Sequence, residues 1–431
     1  MMNSKKALSG RIWTTILMFG LFGQLAWVVE NMYFNLFLYN TISGDPKAIA
    51  WMVAASAATA TITTIFMGAL SDRLSKRKVF ISIGYILWGL STLSFAFISV
   101  DTVSSLMPVA DAVAATVLIV ILMDCVMTFF GSTANDSAFN AWVTDTTNSE
   151  NRGKVEGVLA ILPLLALLII FGGFDGFVQN NEWPLFFLIL GGLITLGGVI
   201  GLFLIQESPV VPSTTPYGET LIHGFLPKTV KKNPSLYWYL LTMGVFGIAT
   251  QVYMPYFIIY IQRYLGIDAY AVLLGAVLLG ASVVSVFVGR KVTAKNKRQF
   301  FLPSLAILVV GLIGLFVTRS AVLVGIAGFV MMSANLVFTA VLNAKVRDHT
   351  PLDKVGHFQG IRMIFYVLIP MVIGPFLGAA VIENGGATYF DLGVLKPVPT
   401  PGIFLASALV CLFILIPLWF AWKSEDKAPL Q

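Results

Sequence analysis

The chain has 431 residues, of which 57% are hydrophobic and only 11% charged, with a net charge of +6. Soluble globular chains carry about 25% charged residues, so the composition excludes a soluble enzyme, a disordered regulator and a disulfide scaffold. It implies an all-α polytopic membrane protein.

A membrane-spanning helix needs about 20 residues to cross about 30 Å of hydrocarbon. That ruler predicts twelve spans, helix 1 to helix 12, at 12–39, 47–70, 79–100, 112–143, 157–178, 184–205, 236–262, 269–289, 300–318, 320–343, 361–381 and 401–422. Helix 1 follows Lys5, Lys6 and Arg11 and is too long for a cleaved signal peptide. With both termini in the cytoplasm, 23 of the 27 Lys and Arg lie on that side, leaving Lys47, Arg263, Arg319 and Lys396 outside. This bias fits the positive-inside rule and a plasma-membrane location, and it accounts for the basic charge without a nucleic-acid partner.

The stretch 206–235 is rich in Pro and polar residues and reads as a cytoplasmic linker, with a short interfacial helix near Gly218 to Lys231. It separates a six-helix bundle at 1–205 from a second at 236–431. The halves look like repeats. Val29 to Phe34 matches Val252 to Phe257 at an offset of 223, and Asn140 to Asp145 matches Asn343 to Asp348 at an offset of 203. Duplication across a central linker points to a transporter with its site between the repeats.

Charge inside a span is costly, so intramembrane acids are candidates for function. Glu30 lies midway along helix 1, Asp124 near the middle of helix 4, and Asp136 deeper on helix 4. Asp175 lies near the outer end of helix 5 and reads as solvated. On a regular helical wheel Asp124, Thr128, Asn135 and Trp142 fall within about one 40° sector, with Asp136 and Asn140 about 120° away. Helix 1 carries Gln24, Asn31 and Asn35 on one face and Trp27 with Glu30 on the next. Helix 7 offers Gln251, Tyr253, Tyr256 and Tyr260, and helix 10 offers Ser333, Asn335 and Thr339. Amides, hydroxyls and aromatic faces suit a sugar. An anion would need a central cation, and the nearest, Arg362, sits at a helix end. A lipophilic cation would also suit acids and aromatics. The acids suggest ion coupling: a carboxylate in a low-dielectric cavity carries H⁺, and one grouped with hydroxyl and amide oxygens holds Na⁺. No organic cofactor is expected. Cys125 and Cys411 read as small buried hydrophobes, and His223, His349 and His357 fall in cytoplasmic segments, so no metal site is expected.

After helix 2 comes Gly68-Ala-Leu-Ser-Asp72-Arg73-Leu-Ser-Lys76-Arg77-Lys78. It resembles the loop between helices 2 and 3 that marks the major facilitator superfamily. The loop after helix 8 keeps the basic residues, Arg290, Lys291, Lys297 and Arg298, but has no acid matching Asp72. The resemblance implies a twelve-helix fold of two pseudo-symmetric bundles, a cavity lined by helices 1, 4, 7 and 10, and a gate. In that gate Asp72 would meet the start of helix 11, with Arg362 its candidate partner, and Arg73 or Arg77 would meet Asp145. Gly23-Gln24-Leu-Ala-Trp27, together with the basic loop, is similar to the cation-coupled carriers of glycosides, pentosides, hexuronides and sucrose. Helix 2 lacks the aspartate pair of the melibiose-type carriers, so coupling here would use Glu30, Asp124 or Asp136. The expected protein is a monomeric secondary transporter of a small solute in the lipid bilayer. A proton-coupled drug exporter and a non-transporting receptor or scaffold on the same fold are the alternatives, and an enzyme is not expected.

Overall fold

The computed structural model describes residues 8–74, 76–107, 109–147, 151–207, 226–293, 296–350, 360–391 and 394–427. Most of the linker, including His223, and the segment holding His357 lie outside these residues.

Among the described residues twelve helices are long and apolar enough to cross a membrane. They are Gly10–Ile42, Pro46–Ser71, Arg77–Phe97, Ala112–Thr146, Gly157–Gln179, Trp183–Leu204, Pro234–Tyr264, Tyr270–Gly289, Lys297–Val317, Ala321–His349, Gly360–Asn384 and Gly402–Glu425. The fold is an all-α polytopic membrane protein. Most bounds sit within three residues of the apolar runs. Helix 10 runs on through Lys345, Arg347 and Asp348, because charged residues end the hydrocarbon span without ending the helix.

Local chemistry sets the ends. Ser9 and Asp111 cap helices 1 and 4 by accepting from the backbone amides of Ile12 and Ala114. Pro sits in the first turn of helices 6 and 7. Gly266 and Gly386, both left-handed, follow helices 7 and 11. Pro227–Lys232 forms a short helix before helix 7, overlapping the end of the predicted interfacial segment.

Several spans are not regular α-helix. Helix 1 has π-helical turns at Val29–Tyr33 and Leu38–Ile42, and helix 4 has one over Ser132–Phe139. Helix 7 tightens to a 3₁₀ turn at Met254–Tyr256, the repeat partner of the first π turn in helix 1. A regular wheel does not carry phase across these turns, so Asn135 and Trp142 do not continue the Asp124–Thr128 line as a straight helix would.

By packing, the chain forms two units, Met1–Phe37 with Ile62–Thr215 and Leu38–Thr61 with Pro216–Gln431. In the first, helices 3 and 6 approach closely: a Cβ on Gly89 would lie 2.4 Å from the Thr195 backbone nitrogen. The second holds an antiparallel hairpin, β1 (Thr388–Asp391) and β2 (Val394–Pro397), between helices 11 and 12. This stretch lies between the predicted spans 361–381 and 401–422. The hairpin clasps the far end of helix 1: the Tyr39 hydroxyl donates to the Pro397 carbonyl, and Lys396 Nζ donates to the Tyr39 carbonyl at 3.4 Å. Nearby, Arg263 donates to Asn40 Oδ1 at 3.1 Å, and Lys47 pairs with Glu383 at 2.9 Å.

Candidate functional site

The first π turn of helix 1 positions Glu30 and Tyr33. Glu30 is 8% exposed and accepts from the Thr128 hydroxyl at 2.9 Å. Asp124, one turn before Thr128, is 1% exposed and interacts electrostatically with Glu30. Asp124 Oδ1 has no hydrogen-bond partner among the described residues. Two acids from two helices are therefore buried close enough to interact, and Thr128 bonds to one of them, Glu30. The i to i+4 spacing of Asp124 and Thr128 was visible in the sequence, whereas the approach of Glu30 required the packing of helix 1 on helix 4.

Beside the acids runs a chain of aromatics and amides. Trp27 Nε1 donates to Asn135 Oδ1 at 3.4 Å, Asn135 Nδ2 to the Tyr85 hydroxyl at 2.6 Å, and that hydroxyl to the Phe19 carbonyl at 2.7 Å. Gly23 makes this possible, because a Cβ there would lie 2.1 Å from Asn135 Nδ2. Trp27 packs on Trp88 with ring centres 5.0 Å apart. Tyr85 and Trp88, on helix 3, were not singled out from sequence, since two aromatics in an apolar span read as packing.

The remaining predicted residues of this unit divide by exposure. Gln24 and Trp27 are partly exposed and Asn31 is exposed. Asn35 is buried, and its amide donates to the Asn31 carbonyl at 2.8 Å, while the Asn31 amide donates to the Trp27 carbonyl at 2.8 Å. Such back-bonding serves helix carbonyls around the π turn. Asp136 accepts from Ser132 at 3.1 Å, inside the long π segment of helix 4.

Asp175 is 2% exposed, contrary to its solvated reading. It accepts from the Tyr33 hydroxyl at 2.9 Å and from Gln179 Nε2 at 2.5 Å. These two donors replace the water that nearness to the span end suggested. Gln179, four residues on, was the missed signal.

In the second unit Tyr253 and Tyr256 are buried. Tyr253 donates to Met331 Sδ at 3.4 Å, and Tyr256 lies within donating distance of the Pro375 carbonyl at 2.8 Å and the Pro46 carbonyl at 3.0 Å. Gln251 and Thr339 are partly exposed, as is Asn335, which donates to Thr250 at 3.4 Å. Tyr260 and Ser333 are buried.

Of the two predicted partners for Asp145, Arg77 takes the place: buried Nε lies 3.1 Å from Asp145 Oδ2, and a second nitrogen donates to Ser71 at 2.5 Å. Arg73 is exposed. Gly68 faces Ser137, with room for a Cβ at 3.4 Å. Arg362 donates to Asn343 Oδ1 at 3.2 Å and lies over the Tyr366 ring. The predicted contact of Asp72 falls outside the described side chains.

The repeats reproduce these contacts. Asp348, the counterpart of Asp145, pairs with Lys297 at the start of helix 9 at 2.6 Å, as Asp145 pairs with Arg77 at the start of helix 3. Trp142 donates to the Gln206 carbonyl after helix 6, and its counterpart Lys345 pairs with Glu425 at the end of helix 12. His349 also meets Glu425, at 2.9 Å. Among the described residues no cluster of metal-ligating side chains forms.

The Arg77 pair supports a stability prediction. Asp145→Ala removes the carboxylate that faces the buried Arg77 guanidinium, and costs about 1–3 kcal/mol, less than a fully buried pair because Asp145 is partly exposed. A lower melting midpoint in detergent checks this, with part of the loss regained in Arg77→Met/Asp145→Leu.

Among curated proteins no sequence match is found. Among solved structures, a bacterial homologue of the human lysosomal transporter Spinster is similar in two inward-facing forms. The unoccupied form has a TM-score of 0.69 at 15% identity, over 99% of this chain and 100% of that one. The occupied form has a TM-score of 0.67 at 13% identity, over 99% and 98%. A structure of the nucleoside transporter NupG has a TM-score of 0.71 at 13% identity, over 96% of this chain and 100% of that one. At these identities the likeness speaks for the fold. The sequence profile of the Major Facilitator Superfamily matches residues 12–339 and 274–431. The chain is a membrane transporter of that fold and belongs to the Major Facilitator Superfamily.

Proposed function

We propose that the protein is a secondary active symporter that moves a small uncharged polar solute, a sugar or glycoside, by alternating access, driven by protons carried at Glu30 and Asp124. The observation that carries this reading is the buried grouping of Glu30, Thr128 and Asp124. Two nearby carboxylates shielded from water repel one another, and a shared proton removes the repulsion. A carrier that binds a proton there and releases it on the other side couples its cycle to the proton gradient.

The solute class rests on Trp27. Its ring is partly exposed, backed by Trp88, and flanked along helix 1 by the amides of Gln24 and Asn31. An aromatic face with amide donors and acceptors suits a ring bearing hydroxyls. A nucleoside, the cargo named for one structural neighbour, has similar needs and belongs in the same test panel. The distribution of Lys and Arg supports a plasma-membrane protein with both termini in the cytoplasm.

The test is uptake into proteoliposomes of a panel of labelled mono- and disaccharides and nucleosides. A pH gradient, acid outside, is expected to drive accumulation of at least one above its external level, while a Na⁺ gradient at equal pH drives none. Uptake that only equilibrates under a pH gradient overturns proton coupling. Extrusion of lipophilic cations by the same preparation, without sugar or nucleoside uptake, identifies an exporter instead.

A further inference from the structure

We infer that His349, with Lys345 and Glu425, forms a pH-sensitive clasp. Protonated, the histidine fastens the last turn of helix 10 to the end of helix 12; neutral, it lets that turn go. His349 Nε2 lies 2.9 Å from Glu425 Oε1, and Nδ1 lies 2.8 Å from the Lys345 carbonyl oxygen. Lys345 Nζ donates to the same Glu425 oxygen at 2.8 Å, so that oxygen belongs to a cation-paired carboxylate. A carbonyl and a carboxylate only accept, so both ring nitrogens must donate, and only the imidazolium has two N–H groups. A neutral ring turns a lone pair on one of the two oxygens. Whichever proton leaves, one tie is lost.

The other charges on the elements packed here are paired or exposed. Helix 9 brings Lys297 and Arg298, which pair with Asp348 at 2.6 Å and with Asp426 at 2.7 Å. Helix 7 brings Tyr237 and Tyr239, and the Tyr239 ring lies 5.2 Å from that of His349. Arg347 on helix 10, and Lys423 and Lys427 at the end of helix 12, are exposed. Of all these groups histidine alone ordinarily changes charge between about pH 5 and 8.

The first half of the chain shows that such a tie needs no titrating group. The alignment of Asn140–Asp145 with Asn343–Asp348 sets Trp142 opposite Lys345 and Thr146 opposite His349. The Thr146 hydroxyl donates to the Trp142 carbonyl at 2.8 Å, the same bond back along the helix that His349 makes to Lys345. Trp142 in turn donates to the Gln206 carbonyl. A hydroxyl and an indole serve there, where the second half holds an ionic triad containing histidine. Lys345 grips Glu425 one turn earlier whatever the state of the ring, which confines the switch to the last turn. On the topology proposed above this end faces the cytoplasm, so the clasp tightens as the cytoplasm acidifies.

The test is amide hydrogen exchange of the purified protein in detergent at pH 6 and pH 8, read by mass spectrometry and corrected for the intrinsic effect of pH on exchange. Protection of the amides of 347–349 is expected to be about tenfold higher at pH 6, the scale of one hydrogen bond to a charged group, with the turn at 342–345 unchanged. In His349→Gln, whose amide keeps one bond but does not titrate, the difference should vanish. If that variant does not fold, Glu425→Gln decides: it keeps the shape, loses the charge, and is expected to shrink the difference severalfold. Equal protection at both pH values in the wild type, or the wild-type pH response persisting in either variant, overturns the clasp. The measurement involves no solute and no gradient, so its outcome is independent of the coupling ion and the cargo.

Discussion

Asp124→Asn will exchange solute across a proteoliposome membrane at close to the wild-type rate yet accumulate none against a gradient. Asparagine has nearly the same shape, so the packing around a residue only 1% exposed is retained. On the proposed mechanism, what disappears is the site where a proton binds and leaves. A coupled carrier sustains about tenfold accumulation per pH unit for each proton, because one unit corresponds to about 1.4 kcal/mol. The variant should bring that ratio to about one. Glu30→Gln gives the companion result, since its amide oxygen can still accept from Thr128. Loss of accumulation in Glu30→Gln alone would assign the coupling proton to Glu30, and accumulation surviving in both would remove the pair from the mechanism.

Gly89→Leu is expected to yield no monodisperse protein in detergent. The Cβ alone would stand 2.4 Å from the Thr195 nitrogen and 2.6 Å from the Gly191 carbonyl, and backbone cannot yield as a side chain does. Helices in lipid associate through close packing of small residues, without a hydrophobic drive between them. Forcing helices 3 and 6 apart removes those contacts along their length, at a cost beyond the ~1–3 kcal/mol of ordinary overpacking. Gly192 provides the control: a Cβ there meets nothing within 4 Å, so Gly192→Leu should elute and melt as wild type. A wild-type elution profile for Gly89→Leu would contradict the argument.

How much of this was legible in the sequence depends on which physics set each feature. The spans follow from hydropathy and length, and the twelve apolar runs reappear with small changes at their ends. The Arg77–Asp145 pair could be narrowed to two arginines by motif and position. Choosing between them required the turn at the start of helix 3, which buries Arg77 and exposes Arg73. The wheel on helix 4 assumed regular α geometry and could not foresee a π segment at Ser132–Phe139. Asp175 misled for a different reason: distance from the span end says nothing of whether a tyrosine on another helix will cover it. The repeat alignment carried further than its six-residue matches suggested, since the ion pairs of Asp145 and Asp348 sit at corresponding places.

The clasp between the hairpin and helix 1 has a bearing on biogenesis. Tyr39 and Pro397 are 358 residues apart in the chain. At synthesis rates of about 5–20 residues per second, Tyr39 waits roughly 20–70 s for its partner to leave the ribosome. Until then the Tyr39 hydroxyl and carbonyl, and the buried site of Lys396, have no mate from β2. The insertion machinery or neighbouring lipid must tolerate an unfinished segment in helix 1. A chain halted before the hairpin should expose this segment to a protease that the chain with its hairpin resists.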